Sequence, residues 1–150
     1  MTFMAKSKSY LACVTGQKSS ERIIRVAGSI AAEGEDAAVL SVLSHNPTES
    51  EIEAIEFLHG IAREEGLSMT VLNNNNPVLA VVDFIRHKKV THVITGIPNP
   101  PHGGFTDIVR SVLPKVRIIT IPEVSTEEDD IPIGKPFLGS RAALLPVSVM

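Results

Sequence analysis

Two stretches of this sequence carry residue types suited to holding a phosphate. The first is Thr15-Gly16-Gln17-Lys18-Ser19-Ser20, set between an apolar run and an amphipathic one. Where such a stretch leads into a helix, backbone amides and hydroxyls face an anion and the helix dipole favours its charge. It lacks the glycine and Lys-Ser/Thr spacing of a P-loop, and it is not a Gly-x-Gly-x-x-Gly turn. An ordinary strand-to-helix turn, with Ser19 or Ser20 as the helix cap, accounts for the same residues equally well. The second stretch runs from Gly96 to Thr106. Gly96 ends an apolar run, and Gly103-Gly104 allow close backbone approach to a ligand. Pro98, Pro100 and Pro101 stiffen this stretch but remove amide donors that would have held a phosphate.

The other reactive side chains do not assemble into a site. None of the five histidines (His45, His59, His87, His92, His102) shows the i, i+4 spacing of a helical zinc pair. Only His102, in the Pro/Gly stretch, falls near the second loop. No Gly-x-Ser-x-Gly elbow follows a strand, and no paired carboxylates lie near either loop. Cys13 is the only cysteine, which excludes an internal disulfide and a cysteine-rich metal site. Its apolar neighbours, Tyr10-Leu11-Ala12 and Val14, predict a buried and unreactive thiol. The acidic run Glu123 to Asp130 lacks the alternation and glycine turn of a calcium loop and reads as a solvated linker. These absences disfavour an enzyme of a familiar class.

At 150 residues the chain fits one domain of ordinary size. A net charge of −3, with no cationic run longer than a pair such as Lys88-Lys89, argues against nucleic-acid binding. Neither a signal peptide nor the roughly 20 apolar residues of a membrane span is evident, so the expected address is the cytoplasm.

The elements that must position the two stretches alternate. Tyr10–Val14 reads as a first strand, followed by a helix with Ile23, Ala27, Ile30 and Ala31 at helical spacing. After a break at Gly34, Ala37–Leu43 reads as a second strand. Thr48 and Glu51 form a capping box for a helix burying Ile55, Leu58 and Ala62 and ending at Gly66. Ser68–Leu72 is a third strand, less apolar, as at a sheet edge. Asn76-Pro77 starts a helix with Val78, Val81, Val82 and Ile85 on one face. Thr91–Thr95 is a fourth strand, and a short helix with Ile108, Val109, Val112 and Leu113 leads to a fifth, Arg117–Ile121. The pattern predicts an α/β, Rossmann-like fold: a doubly wound, five-stranded parallel sheet of order 3-2-1-4-5 with helices on both faces. Strands 1 and 4 then flank the switch point, and the loops after them form the crevice. The expected organisation is an N-terminal extension over 1–8, the α/β domain over 9–124, and an acidic linker with an apolar tail over 125–150. The apolar tail, from Ile131, is expected to dock on its own domain or on a partner chain.

With this order of elements and both loops in place, the chain resembles the universal stress protein superfamily. It is most similar to the segment found in bacterial potassium-sensor kinases of the KdpD type. The resemblance spans roughly Ser9 to Val124 and is carried by Cys13-Val14-Thr15-Gly16-Gln17-Lys18-Ser19-Ser20-Glu21-Arg22-Ile23-Ile24-Arg25 and by Val90-Thr91-His92-Val93-Ile94-Thr95-Gly96. It implies an adenine-nucleotide pocket between the loops after strands 1 and 4, and a homodimer paired through the last strand. It also implies adenine reading by backbone groups near Val42. ATP-binding members carry Gly-x2-Gly-x9-Gly-Ser/Thr after strand 4. Gly96 matches the first glycine, Asn99 stands at the second, and Thr106, preceded by Phe105, is the nearest hydroxyl to the closing pair. Where many members have aspartate after strand 1, this chain has Thr15. Kinase-type relatives that bind cyclic di-AMP use serines in the first loop, which Ser19 and Ser20 match, and a Phe-Thr-Ala motif in the second strand, which is absent here.

The expectation is a non-enzymatic cytoplasmic signalling module that binds ATP, AMP or cyclic di-AMP. Its expected contacts are Thr15, Gly16, Gln17, Ser19, Ser20, Val42, Gly96, Asn99, Gly103, Gly104 and Thr106. The rival is a protein-interaction module that works without a ligand, through its dimer interface and tail. No base or metal ligand is visible for a third reading, a nucleotide-hydrolysing or adenylate-transferring enzyme.

Overall fold

The computed structural model describes residues 7–97 and 104–123. Five strands, β1 (Ser9–Val14), β2 (Asp36–Leu43), β3 (Met69–Asn73), β4 (His92–Gly96) and β5 (Arg117–Ile121), form one sheet of order β3-β2-β1-β4-β5. Every pairing is parallel. The linking helices are α1 (Glu21–Ala32), α2 (Glu49–Glu64), α3 (Pro77–Lys88) and α4 (Phe105–Val112). Fold and strand order are those expected from the alternation of apolar runs.

Those runs are continuous because both sheet faces are covered. Along β1, β2 and β4, Ala12, Val39 and Ile94 enter one core layer with Ile23, Ile24 and Ala27 of α1 and Ile55, Leu58 and Ala62 of α2. Their neighbours Leu11, Leu40 and Val93 enter the opposite layer with Val81 and Ile85 of α3. β3 lies at the sheet edge, as its weaker apolar character implies.

Local signals fix most helix ends. The Thr48 hydroxyl accepts from the Glu51 amide at 3.0 Å while the Glu51 carboxylate accepts from the Thr48 amide at 2.9 Å, completing the capping box. Asn76 caps α3 by accepting from the Leu79 amide at 3.2 Å, with Pro77 in the first turn. Gly34 and Gly66 take positive φ where α1 and α2 end. One cap departs from expectation. Lys18–Ser20 form a 3-10 turn, so Ser20 already has helical backbone angles and its side chain makes no capping bond. A capping side chain needs an extended backbone to reach back to the first-turn amides.

At the other end of the sheet, the Thr91 hydroxyl accepts from the Ser9 amide at 2.8 Å and donates to the Ser9 carbonyl at 3.1 Å, clipping β1 to β4. Beside it the His92 ring stacks on Tyr10 at 4.5 Å, and its Nδ1 lies 2.8 Å from the Thr91 hydroxyl. Burial first, then the charges of Lys8 and Arg117, hold the His92 pKa below its ordinary 6.5, with Glu35 acting oppositely. The folded state therefore binds this proton less readily than the unfolded chain. Stability from His92 is present above pH 6.5 and is lost as pH falls below it, towards the folded-state pKa. Urea titrations between pH 5 and 8 should show wild-type stability falling on the acid side and a shallower fall in His92→Phe, which keeps the ring stack. Equal slopes would mean that His92 has no part in the acid sensitivity.

Candidate functional site

In an open parallel sheet the crevice forms where connections leave neighbouring strands in opposite directions. Here that point lies between β1 and β4, which pair through Tyr10–His92, Leu11–Val93 and Ala12–Ile94. Beyond their C-terminal ends opens a crevice of about 670 Å³. Such a volume is within the usual range for a small-molecule site.

One wall is polar and comes from the loop after β1. Thr15, Gln17, Ser19 and Ser20 line it, as the sequence predicts. The turn is drawn tight by the Gln17 amide donating to the Thr15 carbonyl at 2.7 Å and the Ser20 amide donating to the Gln17 carbonyl at 3.0 Å. Ser20 is buried, and its hydroxyl, free of capping duty, lies 3.4 Å from that of Thr15. Lys18 turns away, its ammonium 5.6 Å from the centre of the Phe57 ring on α2.

The facing wall comes from β4 and α4. Thr95, Gly96, Phe105 and the buried Thr106 line it. The remaining surface is largely apolar, from Leu40 and Val42 of β2 and Pro77, Val78 and Val81 of α3. An apolar slot beside a hydroxyl-rich turn suits an amphipathic ligand with a flat ring and an anionic group.

Other expected positions fall elsewhere. Gly16 does not line the crevice: a Cβ there would meet the Cβ and Cγ of Glu51 at 3.2 Å, so this glycine lets the first loop pass the start of α2. Gly104 is the residue before α4, with an extended backbone, and it too is outside the lining. Asn99, Gly103 and His102 lie outside the described residues, as does the C-terminal tail. Cys13 is half-buried rather than fully enclosed and contributes to the crevice floor. Burial pushes its thiol up to about 12, which keeps it protonated and unreactive near neutrality.

Two charged residues at the crevice escape a reading of the sequence. Arg22, in the first turn of α1, donates from Nε to the Pro122 carbonyl at 2.8 Å and from Nη2 to the Ile121 carbonyl at 3.2 Å. It also donates from Nη1 to the Ser19 carbonyl. A Cβ on Gly96 would come within 3.1 Å of Nη2. Burial lowers the Arg22 pKa from its ordinary value, and Glu123, which also lines the crevice, acts to raise it. Arg22 sits among the polar residues of an amphipathic helix, and two of its partners lie about 100 positions away in sequence. No local pattern marks it.

Among the described residues there is no group of three or more His, Cys, Asp or Glu side chains placed to hold a metal ion. No described helix is long and apolar enough to cross a membrane.

No protein-family model matches this sequence, and no curated protein matches it. Solved structures do. One is a universal stress protein in complex with cAMP, 17% identical, with a TM-score of 0.58 over 78% of this chain and 98% of that one. Another is a universal stress protein from Archaeoglobus fulgidus, 21% identical, with a TM-score of 0.54 over 78% of this chain and 93% of that one. At these identities the likeness establishes a shared fold.

Proposed function

We propose that this chain is a non-enzymatic, cytoplasmic signalling module of the universal stress type that binds an adenine nucleotide. The observation that carries the reading is the crevice itself. Its two loops converge at the switch point of the sheet, placing the Thr15–Ser20 turn opposite Gly96 and Thr106, beside an apolar slot. That the fold is shared with a protein that holds cAMP supports an adenine ligand in particular. In this reading the base enters the slot beside Val42 and the phosphate meets the Thr15–Ser20 turn. ATP, AMP, cAMP and cyclic di-AMP are the ligands to test. Similarity to the KdpD-type sensor segment is part of the same reading and makes cyclic di-AMP a natural member of the series.

A homodimer is the assembly we propose, on a specific surface. β5 is an edge strand, and α4 beside it exposes Ile108 (39%) and Val112 (42%). An edge with apolar neighbours is a ready template for pairing with a second copy. The same surface supports the alternative, a ligand-free module that works through this face and its tail.

Calorimetric titration with the four nucleotides, with mass spectrometry of any co-purifying small molecule, separates the two readings. Micromolar binding of one nucleotide is the expected result. Silence from all four on a folded sample would move the function to the dimer face.

A further inference from the structure

Among the described residues, Arg22 is the only cationic side chain lining the crevice. Among those residues it makes no ion pair within hydrogen-bonding range. Its acceptors among the described residues are three neutral carbonyls, those of Ser19, Ile121 and Pro122. Two of them close the C-terminal end of β5, and the next residue, Glu123, brings a carboxylate to the same crevice. A phosphate adds an opposite charge that a neutral carbonyl lacks, and the planar fork of a guanidinium fits two of its oxygens at once.

Resting on the nucleotide-binding reading above, we propose that Arg22 is the phosphate-binding residue of the crevice and that Glu123 is its built-in competitor. The position fits: Nη2 lies close to the backbone of Gly96 and Nη1 reaches the carbonyl of Ser19, so the guanidinium spans the two loops where the phosphate would lie. Glu123 is exposed and its charge is felt at Arg22, with burial as the larger influence there. An incoming phosphate has to displace the carbonyls and tolerate, or expel, that carboxylate. The arrangement keeps an unliganded guanidinium satisfied, and it sets affinity by a balance of charge between two residues about 100 positions apart.

The test compares ATP, AMP and adenosine by calorimetry on the wild type, Arg22→Gln and Glu123→Gln. Arg22→Gln should weaken ATP and AMP about 10- to 100-fold, the usual loss for a charged hydrogen bond, and leave adenosine within about twofold. Glu123→Gln, which leaves Arg22 and its carbonyl partners in place, should tighten ATP and AMP several-fold and leave adenosine unchanged. ATP binding that is equal in wild type and Arg22→Gln overturns the proposal while leaving the nucleotide reading intact. A comparable loss for ATP, AMP and adenosine also overturns it, because it marks Arg22 as a structural tie for β5. A wild type that binds none of the three overturns both. Because Glu123 is exposed, its variant keeps the proposal open to refutation even if Arg22→Gln folds poorly: unchanged or weaker phosphate affinity in Glu123→Gln removes the competitor role.

Discussion

Gly96→Val is expected to abolish nucleotide binding, a loss of at least 100-fold, while the protein keeps its fold. Gly96 ends β4, and its backbone is not in the left-handed region, so a β-branched residue is at home there. The space on its side-chain side is the crevice. A Cβ would lie 3.1 Å from Arg22 Nη2 and 3.7 Å from Ile23 Cδ1. The guanidinium, at the end of a flexible side chain, gives way to one methyl group, so Gly96→Ala should bind with only moderate loss. Two further methyls should fill the ground between the loops where the phosphate is proposed to bind and push Arg22 off its carbonyls as well. Binding by calorimetry and helical content by circular dichroism read the two sides of the expectation. Full affinity in Gly96→Val would place the ligand somewhere other than this crevice.

The contrast with Gly16 shows what the sequence makes legible at the site. Gly96 ends a strand, Gly16 lies just beyond one, and both stand among the expected ligand contacts. Only Gly96 faces the crevice; Gly16 faces the Glu51 side chain of α2. Which way a loop glycine opens depends on the helix packed behind it, and no local pattern records that. The same holds for Arg22, whose partners are the carbonyls of Ile121 and Pro122. Ser20 illustrates a different miss. Its type suits a cap, yet the preceding 3-10 turn leaves it with helical angles, and its hydroxyl turns to Thr15 instead.

The fold was far more legible because its signals are short-range or periodic. Runs such as Leu11-Ala12 and Val93-Ile94 place adjacent residues in opposite core layers, and only a sheet covered on both faces accepts that. Thr48 with Glu51, and Asn76 with Pro77, act within one helical turn, so their spacing alone specifies the bonds they make. Right-handed crossovers leave few strand orders, and the expected 3-2-1-4-5 is the one observed. The switch point, and with it the place of the crevice, came with the order. The individual contacts in the crevice did not.

The largest effect on stability should come from α2. Leu58→Ala is expected to cost about 2–5 kcal/mol, a large part of the roughly 5–15 kcal/mol that holds a domain of this size. Leu58 is fully enclosed in the layer with Ile24, Ala27 and Ile94, so truncation removes its contacts and leaves a cavity that a packed sheet cannot close. Its neighbour Phe57 is the control. Although larger, Phe57 is 37% exposed, so Phe57→Ala should cost clearly less. Urea unfolding of the two variants reads the difference directly, with the wild-type slope retained if the transition stays two-state. The consequence extends to the crevice. α2 begins at the Thr48–Glu51 box, and Glu51 is the side chain against which the first loop passes at Gly16. A loosened α2 should therefore weaken ligand binding modestly, through the position of the Thr15–Ser20 turn, whereas Gly96→Val acts on binding with little change in stability. Equal costs for Leu58→Ala and Phe57→Ala would mean that α2 does not pack through Leu58, and the link from core to crevice would go with it.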